Sequence, residues 1–435
     1  EELKCHEPCG NDPTCEGGDE SSSSGGETET TTDGSGSTSE PETDTEEPTS
    51  TTGPECTGNE ECMDPALPFC VDEVCSPCSA VVEGTPDEAC EGLDAATPLC
   101  VDDACVQCTA ENFEACGGAT PLCDAEENTC EGCRFHEECQ AIGSPACNVA
   151  TGACFDSSAS AVTEVNAGTA GSIQPAIDAV ADGAEHTIVL TGGGQLHTIT
   201  IDGGKTIAIV SDSAAVRDIN GNTASPIITV TEGGSTAYLH RVRIDGSSGV
   251  GVSVGPAATL YADSTQVSGN DGGGIELTAG SSGFLRNCMV GRNGDEFAST
   301  TGINTAGELS VLYSSIVAND GDGADSIQCG GGSAVVRNSI FIGSDASSID
   351  CGTLDASNSA FDEAVAGDGN ENIGALVPGW FQSVAGADFH LTAAGQAEFA
   401  DLAVWELGDP PFDFEGDARP NTDGATDYPG ADTVP

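Results

Sequence analysis

The chain has 435 residues, enough for two or three domains, and its 73 acidic side chains stand against only 10 basic ones. The formal net charge of -63 would repel phosphate backbones and anionic lipid, so the composition excludes nucleic-acid and membrane-surface partners. No apolar run is long enough for a transmembrane segment, and 22 cysteines are typical of a secreted or cell-surface protein rather than a cytosolic one.

The composition changes sharply along the first part of the chain. Residues 1–15 form a short segment with three cysteines, and residues 16–55 contain no apolar, aromatic or cysteine side chain. A stretch of this kind buries too little apolar area to offset the entropy of ordering, so it predicts a disordered, charge-extended linker. Two uses stay open for it, a stalk that holds the rest away from a surface and an inert spacer.

Residues 56–155 repeat a unit of four cysteines, with a proline two residues before the third cysteine of each unit. The four units contain Cys56, Cys62, Cys70 and Cys75; Cys78, Cys90, Cys100 and Cys105; Cys108, Cys116, Cys123 and Cys130; and Cys133, Cys139, Cys147 and Cys154. Each unit is too small for a hydrophobic core, so we predict that disulfide bonds within each unit hold it together. Two bonds per unit allow three connectivities, and the C-x-x-C spacing leaves zinc or redox chemistry as the alternative.

From about residue 165 the chain is rich in Gly, Ser, Val and Ile, and a second repeat begins. Asn270, Asn293 and Asn319 recur at coil-like spacing, each followed by an apolar residue that recurs in step. One repeat of about 24 residues cannot close a core, whereas stacked coils bury a continuous one. Residues 172–180 come before these repeats and carry apolar side chains at helical spacing, which predicts a short helix.

The residues of this region resemble a known family. Residues 264–270, followed by the run Gly-Gly-Gly-Ile at 272–275, resemble the N-S-x-Φ-x-G-N and G-G-G-I pattern of bacterial right-handed parallel β-helix surface proteins, which are related in coil design to polymorphic outer-membrane proteins. Residues 388–391 resemble the last coil of that family, and residues 413–432 its closing segment. The resemblance implies an all-β, right-handed parallel β-helix over residues 165–405, with an N-terminal cap helix and an acidic C-terminal tail over residues 406–435.

Stacked coils place equivalent residues one above another, about 4.8 Å apart. This geometry predicts a structural ladder of Asn270, Asn293 and Asn319, because asparagine tolerates the left-handed backbone of a tight bend and its amide can bond the next coil. It also predicts a disulfide between Cys329 and Cys351, which follow equivalent apolar residues of neighbouring coils by two positions.

Signals of chemistry in this region are few. Arg241, Arg243 and Asp245 alternate with apolar residues, so we expect them to point outward, where a polysaccharide lyase with this fold would need a base and calcium-binding acids. Charge balance on a solvated strand is the more frequent explanation of such residues. Acidic side chains on glycine-rich turns also suit calcium, and the candidate ligands are Asp320, Asp322 and Asp325.

These patterns favour an exported, extracellular or cell-surface protein without enzymatic activity, used for adhesion, carbohydrate contact or surface structure. Such a protein would need no cofactor, although its acidic turns suit calcium, and its partner would be an extracellular polysaccharide or another cell-surface ligand. The alternative is a calcium-assisted polysaccharide lyase or hydrolase that uses the face of Arg241, Arg243 and Asp245.

Overall fold

The computed structural model describes residues 56–433 apart from 83, 214, 232, 295–300, 321–325 and 345–347. The two predicted N-terminal segments, together with the calcium candidates Asp322 and Asp325, lie outside the described residues.

A parallel β-helix of about eight turns makes up most of the described chain, as the coil repeat predicts. Each full turn passes through three sheets in the order A, B, C, and strands of neighbouring turns pair in parallel.

Within the described residues sheet A has nine strands: Val162–Asn166, Glu185–Thr191, Thr206–Ser211, Thr236–His240, Thr259–Asp263, Ser282–Arg286, Glu308–Leu312, Ser333–Arg337 and Leu354–Ser357. Over the same part of the chain sheet B has nine: Gln195–Leu196, Arg217–Asn220, Val242–Asp245, Gln266–Ser268, Met289–Gly291, Ser315–Val317, Ile340–Ile342, Ala360–Phe361 and Glu371–Asn372. Sheet C has seven in the residues described: Ile199–Ile201, Ile228–Val230, Val252–Val254, Ile275–Leu277, Ile303–Thr305, Ile327–Cys329 and Ile349–Asp350.

The β-helix closes because its strands turn one row of apolar side chains inward. In sheet C, Ile228 pairs with Val252, which pairs with Ile275, and all three are buried, so like residues stack into a continuous core. The predicted helix forms at Ile173–Asp178 and buries Ile173 and Ile177 against the first turns. Among the described residues no helix is long and apolar enough to span a membrane.

The bend from sheet A to sheet B is a tight turn that one left-handed residue makes possible. These bend residues have φ between 46° and 53° and are Arg241, Ser264, Asn287, Tyr313, Asn338 and Asn358. A left-handed residue changes the direction of the chain within one or two positions and interrupts the alternation of inward and outward side chains. The orientation of a bend side chain therefore cannot be read from strand parity.

The four cysteine units form disulfide modules that share one connectivity, in which the first cysteine binds the third and the second binds the fourth. The bonds are Cys56–Cys70 and Cys62–Cys75 in module 1, Cys78–Cys100 and Cys90–Cys105 in module 2, Cys108–Cys123 and Cys116–Cys130 in module 3, and Cys133–Cys147 and Cys139–Cys154 in module 4. Each module has an antiparallel hairpin: Phe69–Val71 with Val74–Ser76, Leu99–Val101 with Ala104–Val106, Leu122–Asp124 with Thr129–Glu131, and Cys147–Asn148 with Ala153–Cys154. Short helices lie at Asn59–Glu61, Cys78–Ala80, Pro86–Leu93 and His136–Ala141.

Peptide mapping of the unreduced protein should recover only first-to-third and second-to-fourth cross-links within each module. Cys288 is the free cysteine of the described residues and is buried, so iodoacetamide should leave it unmodified in the native protein and label it after denaturation without reduction. Labelling of Cys329 or Cys351 in that same unreduced sample would contradict the structure, as would a cross-link between two modules.

The C-terminal region differs from the predicted last coil and acidic tail. Strands of the β-helix end at Asn372, and residues 376–433 fold back along sheet B as what we call the C-terminal cover. The cover contains the antiparallel pairs Phe381–Ser383 with Asp388–Leu391 and Ala403–Trp405 with Ala425–Asp427, the helix Ala393–Phe399, and short turns of helix at Pro378–Trp380 and Val384–Gly386.

The physical reason for the cover is the apolar outer face of sheet B. Ile340, Phe341 and Ile342 are consecutive and all fully buried, so this strand needs apolar contacts on both faces. Phe341 packs in the core of the β-helix, whereas Ile340 and Ile342 pack against aromatic residues of the cover. The cover therefore stabilises a face that would otherwise expose a stripe of apolar side chains.

Candidate functional site

The three residues predicted to form an outward catalytic face do not lie together in the structure. Arg241 is only 8% exposed, and its Nη2 lies 3.4 Å from Oε1 of Glu137 in module 4. Arg243 and Asp245 do lie on the outer face of sheet B, where Arg243 Nε is 2.9 Å from Asp218 Oδ1. Arg241 extends from the β-helix towards Glu137, but module 4 covers this bend residue, so it does not lie on an open face.

The three ladder asparagines lie in the core, just after the bend from sheet B to sheet C. Asn270 Nδ2 donates to Asn293 Oδ1 at 2.9 Å, and Asn293 Nδ2 donates to Asn319 Oδ1 at 3.0 Å. The left-handed backbone falls one residue earlier, at Gly269 and Arg292, rather than on the asparagines. Each amide is fully buried and bonded to the neighbouring coil, so the ladder holds coils together and offers nothing to a ligand.

The sequence candidates that remain within the described residues also contact neighbouring coils: Cys329, Cys351 and Asp320. Cys329 and Cys351 form a disulfide between neighbouring coils, with their Cα atoms 4.6 Å apart. Burial raises the pKa of the Cys288 thiol to about 12, so this cysteine is no nucleophile at neutral pH. Asp320 is half-buried, and its backbone amide donates to the carbonyl of Asn293 at 2.8 Å.

Module 4 packs on the outer face of sheet A. The rings of Phe155 and Tyr238 meet edge to face with centroids 5.4 Å apart, and Tyr238 Oη donates to Asn148 Oδ1 at 2.7 Å. Ala208 and Val210 of the same sheet are fully buried in this contact. Sheet A thus also has an apolar outer patch, which a preceding part of the chain covers.

Two buried histidines meet at the edge of this contact, His136 from module 4 and His240 from sheet A. Their ring centroids are 4.7 Å apart, and the residues are 1% and 0% exposed. Burial, together with nearby positive charges, lowers the pKa of His136 to about 3 and the pKa of His240 to about 4, although Asp263 acts in the opposite direction. Both rings are therefore neutral at physiological pH.

Asp263 and Arg286 complete this group, and we call His136, His240, Asp263 and Arg286 the buried cluster. Burial raises the pKa of Asp263, but the charge and the hydrogen bond of Arg286, whose Nη2 lies at 2.6 Å, outweigh burial and lower that pKa to about 2. The Arg286 guanidinium also lies 4.3 Å from the centre of the Phe135 ring and donates to the carbonyl of Arg134 at 2.8 Å. Arg286 therefore links the β-helix to module 4 through two separate contacts, with Phe135 and Arg134.

The donor set of the buried cluster does not suit a metal ion, although His136, His240 and Asp263 bring one ligand atom each within 4.8 Å of one another. The amide of Cys147 donates to His136 Nδ1 at 3.1 Å, so the proton of the neutral ring lies on Nε2, the atom that would have to bind the metal. A metal-binding histidine shows the opposite pattern, in which its second nitrogen donates. The cluster is better explained as a contact between two parts of the chain.

A small notch of about 200 Å³ opens beside the buried cluster. Tyr238, Tyr261 and Phe284 stack along the outer face of sheet A with ring centroids 4.7 Å apart, and Phe284 is 40% exposed. The stack ends there because Ser310 occupies the next position in register, which leaves the outer face of the Phe284 ring at the notch.

Sheet C presents a different outer face, a row of polar side chains that we call the polar ladder. Its members are partly exposed and follow one another in register: Thr229, Ser253, Glu276, Asn304 and Gln328. Ser253 Oγ donates to Glu276 Oε2 at 3.1 Å, so neighbouring coils of the ladder contact each other. The ladder offers hydroxyl, carboxylate and amide groups at the coil spacing of about 4.8 Å.

Sequence reasoning missed both the buried cluster and the polar ladder. The members of the cluster are too far apart in the chain for any spacing motif to connect them. The ladder had a readable signal, because the residue after each inward apolar residue of sheet C is polar in successive repeats, as at Glu276, Asn304 and Gln328.

A protein family and a solved structure are similar to parts of this chain. A family of unknown function (DUF8331) matches residues 42–160, which include the four disulfide modules. No curated protein matches the chain. The crystal structure of pectate lyase Pel9A matches at 13% sequence identity with a TM-score of 0.24, covering 61% of this chain and 88% of that one. A similarity at this level carries no argument about function.

Proposed function

We propose that the protein is an exported, non-enzymatic protein that contacts a neutral extracellular polysaccharide through the polar ladder of sheet C. The observation that carries the proposal is the regular row of Ser253, Glu276, Asn304 and Gln328 on one face of a rigid β-helix. A polymer repeats its hydroxyl groups along its length, so a periodic row of acceptors and donors can engage it at several coils simultaneously.

Charge narrows the class of polysaccharide. The chain carries a net charge of -63, and Glu276 adds a carboxylate to the ladder itself, so an anionic polymer such as a polyuronate would be repelled. A neutral polymer is not repelled and can donate its hydroxyl groups to carboxylate and amide oxygens. Nine disulfide bonds within the described residues support an extracellular location for this contact.

The enzymatic alternative, a calcium-assisted lyase or hydrolase, has less support from its own candidate residues. Arg241 is buried beneath Glu137, and Arg243 is ion-paired with Asp218, so neither presents a free base on an open groove. Asp245 Oδ1 accepts a hydrogen bond from Ser268 Oγ at 3.4 Å, which adds no catalytic partner to the two arginines.

Binding of the intact protein to immobilised neutral polysaccharides, with polygalacturonate as the anionic comparison, tests the proposal. The double variant Asn304→Ala/Gln328→Ala should weaken binding to a neutral polymer about tenfold, because it removes two hydrogen-bonding groups from the ladder.

The matched control is Gln195→Ala/Asn421→Ala, which removes the same residue types at exposed positions on other faces and should leave binding unchanged. Equal loss in both double variants would contradict the proposal. Release of unsaturated product from polygalacturonate with calcium would support the lyase instead.

A further inference from the structure

The contact between module 4 and sheet A is made without a covalent bond. Both disulfides of module 4 close within the module, and among the described residues none joins it to the β-helix. Residues 156–161 connect the two parts and contain no helix or strand. Module 4 could therefore leave sheet A and stay folded, because its own disulfides hold it together.

The two carboxylates nearest the histidines, Asp263 and Glu137, each already face an arginine when both rings are neutral. Asp263 pairs with Arg286 at 2.6 Å, and Glu137 Oε1 lies 3.4 Å from Arg241 Nη2. At the rim, Arg134 and Glu131 form a further pair at 3.5 Å, while Glu138 accepts the backbone amides of residues 134 and 135.

A proton added to either histidine would therefore place an extra positive charge in a buried site. His240 lies near Glu137 and Asp263, at 3.4 and 4.0 Å, but both carboxylates already face an arginine. The second histidine ring, stacked at 4.7 Å, adds repulsion rather than compensation. Burying an uncompensated charge is strongly unfavourable, and release of module 4 into water removes that penalty.

We propose that the docking of module 4 on sheet A is acid-sensitive: protonation of His136 and His240 releases the intact module and exposes the apolar face around Tyr238. This function is separate from the polysaccharide contact, because it involves sheet A rather than sheet C. The face that acid would expose includes Ala208 and Val210, which module 4 buries in the docked state.

The direction of the pH effect follows from the two states. In the released state the histidines return to an ordinary pKa of about 6.5. In the docked state burial holds the pKa of His136 near 3 and that of His240 near 4. Docking is thus unaffected above about pH 7 and weakens as the pH falls from 6.5 towards 4, by up to about tenfold per pH unit for each histidine. Asp263 keeps its partner Arg286 in both states because both residues belong to sheet A, and its pKa of about 2 in the docked state lies below this pH range.

Hydroxyl-radical footprinting of the intact protein between pH 7.5 and 4 tests the proposal, because it measures the solvent access of side chains. Oxidation of Tyr238 and Phe155, which are 1% and 2% exposed in the docked state, should rise between pH 6 and 4 and fall again on return to pH 7.5. Phe341 in the core of the β-helix should stay unoxidised throughout, which separates release of the module from unfolding.

The variant His136→Gln/His240→Phe should remove most of the pH dependence in this window. Neither ring nitrogen of His240 has a hydrogen bond in the structure, so phenylalanine leaves no partner unsatisfied there. The control is His390→Gln, because His390 lies in the C-terminal cover between Asp388 and Glu415 and should not affect acid release.

A second variant keeps the test decisive if the histidine variant fails to dock. Glu137→Gln preserves the shape of the side chain but removes one balancing charge, so release should occur at higher pH than in the unchanged protein. Protection of Tyr238 from oxidation that does not change from pH 7.5 to 4, or a release pH that does not move in Glu137→Gln, would overturn the proposal.

Discussion

Replacing Arg286 by methionine should lower the free energy of unfolding by about 3–5 kcal/mol, because it leaves Asp263 as a buried carboxylate without its partner. Methionine keeps much of the volume of the arginine stem but loses the 2.6 Å contact with Asp263 and the bond to the carbonyl of Arg134. Urea unfolding at pH 7.5, followed by circular dichroism of the unreduced protein, measures the effect.

The matched control for this prediction is Arg243→Met, which removes an arginine from the same β-helix. Its side chain is 38% exposed and its ion pair with Asp218 faces solvent, so the change should cost at most about 1 kcal/mol. The double variant Asp263→Asn/Arg286→Met should recover much of the loss, because it also removes the unpaired charge. Equal effects of the two arginine variants would show that the buried pair contributes nothing specific.

Replacing Asn293 by alanine should also destabilise the β-helix by about 3–5 kcal/mol, because several buried polar groups lose their partners. Asn293 Oδ1 accepts both the backbone amide and the side-chain amide of Asn270, and Asn293 Nδ2 donates to Asn319 and to the carbonyl of Val267. Interior positions of this kind have no access to water that could replace the lost bonds.

Thermal unfolding of Asn293→Ala and Asn304→Ala, measured side by side, checks the prediction for the buried asparagine ladder. Asn304 lies at a partly exposed position on the outer face of sheet C, so its loss should change stability by no more than about 0.5 kcal/mol. A stability loss of similar size in both variants would indicate that the hydrogen bonds of the buried asparagine ladder contribute no more to stability than an exposed side chain does.

The β-helix could be predicted from its repeat, because each coil requires similar residues at equivalent positions and the same pattern therefore recurs at every turn. The spacing of Asn270 and Asn293, and of Cys329 and Cys351, reflects contacts between neighbouring coils, so short-range periodicity contains the information. Arg241 shows where that reasoning stops, since the alternation along a strand cannot indicate that a separate module covers the side chain.

The two covered faces could not be predicted because they depend on contacts between segments without a shared period. His136 and His240 meet only because module 4 lies on sheet A, and neither position carries a local signal of the other. The cover over sheet B did have a trace in the sequence, the uninterrupted apolar run at Ile340–Ile342, which leaves no polar outward residue. That trace indicates that something covers the strand but not which segment does.

A stacked-coil protein frays from its ends, because a terminal coil has a neighbour on one side only. The disulfide between Cys329 and Cys351 lies near the C-terminal end of sheet C, where its strand Ile349–Asp350 is the last. The last strand of sheet C therefore cannot separate by itself, since the disulfide keeps it bonded to the strand before it. The last two coils of sheet C should therefore open together, as one unit. Because the disulfide opposes the opening of the last strand alone, that strand is less available to pair with another chain.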